Sequence, residues 1–294
     1  MTTITATRVP ATRSPRTTAG RPSVFGTAIL LLGAVYCLLP VLWVLTASTK
    51  NGSELFSTFT LAPSTHLWDN IVALTEYRDG LFWRWMLNTA LYAGVGALIS
   101  TYVSALSGYV LARFEFPGKA TVFSVLLMGV LVPGVILAIP QYFLLAQVGL
   151  TNTYWSVLLP QLISPYGIYL ARIYAAAAVP GDVIEAARTE GAGELRIFHG
   201  IALPMMAPGL VTIFLFQFVA IWNNFMLPYI MLGNDQLFPI TVGLSGLLNQ
   251  GATVPAMYTL VITGALLSIV PLIILFLLLQ RFWRVDLAAG AVKA

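Results

Sequence analysis

An all-α, polytopic membrane fold is the class this sequence predicts, and three observations carry it. Of the 294 residues, 58% are hydrophobic and only 9% charged, whereas an ordinary soluble domain carries about 25% charged residues. Six stretches are apolar and long enough, roughly 20 residues each, to cross about 30 Å of hydrocarbon. The basic residues flank these stretches with a strong bias to one side.

Taken in order, residues 1–23 are rich in Thr, Arg and Pro with almost no apolar side chains. They have too little to bury, so a disordered tail is expected. Residues 24–47 form the first span. A cleaved signal peptide would carry an apolar region of about 7–15 residues; this one is longer and five more follow it. With its external loop it makes a first segment, 24–84. The core segment, 85–282, holds spans at 85–111, 120–146, 154–170, 204–232 and 257–280, and no span contains Asp, Glu, Lys or Arg. Residues 239–254 are uncharged but interrupted by Gly243, Gly246 and Gly251, and read as an external loop with a short interfacial helix. Residues 283–294 are the C-terminal tail. Prolines crowd the later spans, at 133, 140, 160, 165, 208, 228 and 271, and that density fits a bundle built around a path, where neighbours or water satisfy the freed carbonyls.

Orientation follows from the count of Lys and Arg. One face holds Arg8, Arg13, Arg16, Arg21, Arg113, Lys119, Arg172, Arg188, Arg196, Arg281, Arg284 and Lys293, twelve of fifteen. The other keeps Lys50, Arg78 and Arg84 among Glu54, Asp69, Glu76 and Asp79. Both termini are therefore expected in the cytoplasm, and the chain in the inner (cytoplasmic) membrane.

The connection 171–203 then lies in the cytoplasm and is the one charge-rich loop between uncharged spans. Pro180-Gly181 breaks the preceding helix, Asp182 is placed to cap a new one, and Glu185 three residues on completes an Asp-x-x-Glu capping box. Ala186, Ala187 and Arg188 favour helix, and Gly191 stands where a left-handed cap would end it. Val183, Ile184 and Ala187 share one face; Glu185 and Arg188 share the other. A second apolar stripe, Leu195, Phe198 and Ala202, leads to Pro204. Small Ala186 and Ala187 would let the helix lie close in a partner's groove, with Glu185 and Arg188 at the rim.

Catalytic and metal chemistry find no support. His66 and His199 fall in different compartments, and no Cys or carboxylate cluster has ligand spacing. Cys37, inside the first span, is the single cysteine, so no intrachain disulfide is possible. No Gly-rich loop is followed by Lys, so ATP binding by this chain is not expected. The basic residues make no aromatic-laced patch of the kind nucleic acid wants. Gln141, Tyr142, Gln217, Trp222, Asn223 and Asn224 are polar or aromatic groups inside spans that could line a path for a hydroxylated solute; such groups equally act as glue between helices.

The run from Glu185-Ala186-Ala187 through Gly191 to Ile201, Leu203 and Pro204 resembles the signature loop of permease subunits of ATP-binding-cassette (ABC) importers. Pro40-x-x-Trp43, Asn88-Thr89, Gly149-Leu150-Thr151-Asn152-Thr153-Tyr154, Trp222-Asn223 and Ala289-Gly290-Ala291-Val292-Lys293 narrow the resemblance to the carbohydrate branch, near its second, maltose-importer-like permease. The resemblance implies a type I importer permease fold and a transporter subunit that is not itself an enzyme. It implies a second permease as heterodimer partner, two cytoplasmic ATPase subunits that hold ATP and Mg, and an external solute-binding protein. On it, Glu185, Ala186, Ala187, Arg188, Gly191, Ile201, Leu203 and Pro204 are the ATPase-coupling residues. Glu190 stands where the family usually has Asp, which keeps the charge. The C-terminal tail resembles one that reaches the ATPase, although a short basic membrane-flanking tail explains it equally.

Other classes remain as alternatives. An ion-coupled secondary carrier would want an ionisable group near the midplane and a repeated half, and neither is visible. A permease for a non-sugar solute such as a glycerol-phosphate compound would want a counter-charge in the spans. A membrane scaffold without transport would have no ATPase partner.

Overall fold

The computed structural model describes residues 24–57 and 61–291, with side chains to residue 282. The tail expected to be disordered, 1–23, and the last three residues lie outside the described part. Two units compose the chain, Met1–Trp43 and Val44–Ala294. The described part of the first is helix α1, Val24–Ala47, which runs into the second and carries exposed apolar side chains along its length, among them Leu30, Leu32, Tyr36 and Leu42.

In the second unit α2 (Gly52–Ser57) and α3 (Leu67–Glu76) form the expected loop after the first span. Asn70 closes it by donating to the carbonyls of Ser48 and Lys50 at 2.8 and 2.9 Å. Helix α4, Leu81–Arg113, is the axis of the bundle. It is longer than expected at both ends, so Arg84 and Arg113 belong to the helix.

The expected single span at 120–146 is broken. α5 (Lys119–Leu131) and α6 (Gly134–Gln147) meet at 105°. Pro133 lacks an N–H and forces Val132 out of the helical region, where it sits at φ −80° and ψ 120°. Each half, about 20 Å long, is too short to cross alone.

The expected span 154–170 is also corrected. Pro160 and Pro165 leave only a short α7 (Tyr154–Leu158) before a new helix, α8, Pro165–Ala178. Ser164 caps α8 by accepting from Gly167 N at 3.0 Å. Helix α8 therefore contains Arg172, and the connection opens at Val179 rather than Ala171.

That connection holds α9 (Gly181–Thr189), at 76° to α8, and α10 (Glu194–Ile197). A π-turn over Phe198–Ala202 joins α10 to α11 (Leu203–Trp222), and the three run on as one apolar helix, Glu194–Trp222. Pro204 causes no break, because the wide turn ahead of it accommodates a residue without an N–H. The fifth span ends at Trp222 and not at residue 232, with α12 (Met226–Met231) a separate turn. Residues 239–254 form the expected short helix, α13, Ile240–Gly251. Last, α14 spans Ala256–Ala291, so the residues read as the start of a tail continue the helix. Among the described residues there is no strand.

Small residues on α4 let α8 and α11 approach it. Gly96, Ala97, Ser100, Ser104, Ala105 and Gly108 are all buried, and a Cβ on Gly108 would stand 2.5 Å from the backbone nitrogen of Arg172. Between helices in lipid, such close backbone approach supplies the attraction that water expulsion supplies elsewhere.

The first half of α4 also satisfies carbonyls of the stretch after α12, which holds a 3-10 turn at Asp235–Leu237. Trp85 donates to Asp235 O at 2.9 Å, Asn88 to Gln236 O and Phe238 O at 2.8 and 3.1 Å, and Tyr92 to Leu237 O at 3.0 Å. Thr89 accepts from Ile240 N at 2.7 Å. From the other side Asn152 Oδ1 accepts from Gly233 N and Asn234 N, both at 2.9 Å. Backbone outside the long helices persists here because its polar groups are paired inside the protein.

Candidate functional site

Two places hold the residues singled out by the sequence. The first is the α9–α10 loop. Pro180 precedes α9 and no side chain caps it. The expected capping box is absent because Asp182 already lies in the first turn, where its charge still favours the helix dipole. The C-terminus follows the expectation: Gly191 has φ +82°, Gly191 N donates to Arg188 O and Ala192 N to Ala187 O, each at 3.0 Å. This pair of bonds around a left-handed glycine is a Schellman motif.

The loop has two sides. Ile184, Ala187, Ile197, Phe198 and Ala202 are buried against Ala105 and Tyr109 of α4 and Ala171, Ala175 and Val179 of the α8 end. The outer side exposes Val183, Glu185, Ala186 and Leu195, the last at 71%. Both alanines were expected to face a partner. Only Ala186 is exposed; Ala187 faces its own chain. Leu195 likewise leaves the apolar stripe expected of it, and Ile197 takes its place.

Arg188 was expected to share a face with Glu185. Its Nε instead donates to Glu194 Oε1 at 2.7 Å, and its guanidinium stands 5.7 Å from the centre of the Phe114 ring. The bond to Glu194 raises the Arg188 pKa further above its ordinary value. In the π-turn His199 Nδ1 lies 2.8 Å from Leu195 O, and Nε2 lies 2.9 Å from the Tyr102 hydroxyl on α4. A carbonyl can only accept, so Nδ1 is the donor to Leu195 O, and in the neutral ring Nε2 accepts from Tyr102. Ile201 and Leu203 are half-buried and Pro204 is exposed. Glu194 and Tyr102 carried no motif signal; their role exists only once the chain folds back.

The second place is a cavity of about 550 Å³ where α6, the 159–161 turn, the end of α11 and α12 meet. Gln141, Asn223 and Asn224 line it, as does Gln161, which the sequence reading passed over. It lay in view as a polar residue within an expected span. Asn223 Nδ2 donates to Val219 O at 2.9 Å, and Asn224 Nδ2 reaches Gln161 Oε1 at 3.4 Å. Thr241 Oγ1 donates to Asn224 O at 2.8 Å. The described lining carries no charged side chain. What converges is a set of amides, each offering donors and acceptors together.

The other three candidates fall elsewhere. Gln217 donates to Ser164 Oγ beside a separate cavity of about 410 Å³ with Tyr166 and Phe216. Trp222 is 3% exposed and stacked on Phe218 at 5.4 Å, and Tyr142 packs against the same apolar cluster. A broken helix end turns Trp222 inward while Asn223 and Asn224 turn to the cavity. Among the described residues no group of three or more His, Cys, Asp or Glu could hold a metal ion.

Comparison with known proteins agrees with this arrangement. The family model described as "binding-protein-dependent transport system inner membrane component" matches residues 100–284, more than half of the chain. The arabinooligosaccharides transport system permease protein AraQ of Halalkalibacterium halodurans is 33% identical over 264 residues, covering 88% of this chain and 92% of the relative. The diacetylchitobiose uptake system permease protein NgcG of Streptomyces coelicolor is 28% identical, covering 86% and 83%. A crystal structure of a bacterial ABC transporter involved in importing the acidic polysaccharide alginate shares the fold, with a TM-score of 0.76 at 21% identity, over 88% of this chain and 95% of that one. The chain is thus a multi-pass membrane transporter subunit and belongs to the family of binding-protein-dependent transport system inner membrane components.

Proposed function

We propose that this chain is one of two permease subunits of an ATP-driven ABC importer that carries a neutral sugar or oligosaccharide delivered by an external solute-binding protein. One observation carries the reading: a short helix, α9, is fixed to the bundle by its buried side while Val183, Glu185 and Ala186 remain outward. Such a helix suits the cleft of a cytoplasmic ATPase, which would hold the ATP and Mg. Closure of two ATPase subunits would move α9, and with it the ends of α4 and α8 on which it is packed. Both termini then lie in the cytoplasm.

The solute class rests on two supports. Named relatives carry arabinooligosaccharides and diacetylchitobiose, and the amide-lined cavity presents Gln141, Gln161, Asn223 and Asn224 without a charged neighbour. Paired donors and acceptors recognise hydroxyl groups, whereas a phosphorylated solute would need a counter-charge in low dielectric. The partner permease shares the path.

The test is reconstitution of the complete importer in proteoliposomes with labelled neutral oligosaccharides. Uptake should require both ATP and the binding protein. Ala186→Trp, at an exposed position, should abolish uptake and ATPase co-purification with membrane abundance unchanged. Uptake that proceeds without ATP, or an Ala186→Trp complex that stays assembled and active, refutes the assignment.

A further inference from the structure

The corner where α4 ends, α5 begins and α8 turns toward α9 holds Arg113, Lys119 and Arg172, and the first two hydrogen-bond to protein oxygens. Lys119 Nζ bonds Glu115 Oε1 at 2.8 Å. Arg113 Nη2 donates to the carbonyls of Ala175 and Ala176, both at 3.0 Å, closing the end of α8. Arg172 is different. Its guanidinium lies 3.9 Å over the Phe123 ring, and Phe123 stacks in turn on Tyr169, one turn before Arg172 on α8, with ring centres 6.3 Å apart. Among the described residues no carboxylate or carbonyl accepts a hydrogen bond from it.

We propose that Arg172 binds the phosphodiester of an anionic phospholipid in the cytoplasmic leaflet. Aromatic contact holds one flat side of the guanidinium and leaves its edge, with its fork of N–H donors, available for a phosphate. The depth is suitable. Phe123 lies one turn inside Lys119, the first residue of α5 after a polar loop, so the guanidinium sits about 6 Å inside the helix start, within reach of lipid phosphates. The face is also suitable: α5 has no buried residue, and its exposed Val122, Val125 and Met128 are apolar, as a lipid-facing surface would be. Charge favours an anionic headgroup over a zwitterionic one, because the Lys119–Glu115 pair cancels and Arg113 and Arg172 leave the corner positive.

Only the choice of leaflet rests on the orientation proposed above. The experiment extracts the complete importer from nanodiscs of phosphatidylcholine with graded phosphatidylglycerol, and counts the phosphatidylglycerol retained per complex by native mass spectrometry. No solute or ATP is present, so a wrong solute assignment leaves the readout untouched. The parent complex should retain phosphatidylglycerol in preference to phosphatidylcholine, and Arg172→Gln should lower that retention about five-fold. Arg172→Lys should keep part of it, because the charge remains without the fork; it also reads the site should the glutamine variant assemble poorly. Phe123→Leu, with the charge intact, should weaken retention less than Arg172→Gln. Equal retention by parent and Arg172→Gln overturns the proposal. So does loss of the partner permease from Arg172→Gln with lipid retention unchanged, which would give the guanidinium a protein partner.

Discussion

Arg188 and Glu194 face each other across the left-handed turn at Gly191, Nε to Oε1 at 2.7 Å. The bond ties α9 to α10 at the point where the chain reverses, and Phe114 at the end of α4 backs the guanidinium. Arg188 thereby serves the shape of the loop, and the exposed outer side is made by Val183, Glu185, Ala186 and Leu195.

Breaking that pair should uncouple the loop and leave the bundle intact. Glu194→Arg alone puts two like charges together and should cut solute uptake sharply at unchanged membrane abundance. The exchange Arg188→Glu with Glu194→Arg should recover much of the loss. Uptake in the double variant no better than in the single one would assign Arg188 to the partner surface instead.

Gly191 is held by its conformation, not by crowding. At φ +82° an added Cβ would meet nothing within 4 Å, so Gly191→Val carries only the backbone cost of the left-handed region, about 1–2 kcal/mol. Uptake and ATPase co-purification should fall while abundance holds. Gly191→Asn should be milder, since Asn tolerates this region. An equal loss in both variants would point to steric blocking by a docked partner.

Asn88, 3% exposed, serves two carbonyls and accepts from the Tyr154 hydroxyl at 2.9 Å. Asn88→Leu strands Gln236 O, Phe238 O and Tyr154 in the interior and should destabilise by about 2–4 kcal/mol. Thermal inactivation of the purified complex measures it. An unchanged melting temperature would mean that water replaces the amide.

Topology is open to cysteine labelling. Single cysteines at Lys119 and Gly193 should react only from the cytoplasm, and those at Asp69, Asn152 and Asn249 only from outside. A cytoplasmic Asn249 would make α13 a crossing, against its 12 residues, about 18 Å of helix.

Much of the fold was legible because lipid imposes a coarse requirement. A crossing needs a long apolar run, and six such runs are plain in the sequence. Gly191 was legible as well, since only glycine ends a helix left-handed at little cost. Where the crossings break was harder to read. Pro133 breaks its helix at 105° while Pro204 follows a π-turn without breaking anything. The difference lies in the turn that precedes each proline: the wide turn before Pro204 accommodates a residue without an N–H, whereas Val132 before Pro133 leaves the helical region.

Composition and spacing thus determined by themselves that this chain is a membrane bundle with a charge-rich, short-helical loop before its penultimate crossing. Only the tertiary structure decided which side of that loop is free. Ala186 and Ala187 are neighbours of one residue type, yet a 100° step around the helix sends one outward and the other against Ala105 and Ala175. The same holds for Trp222 and Asn223. A helix end places the first in the core and the second on a cavity, because the direction of a side chain at a break is set by the packing around it.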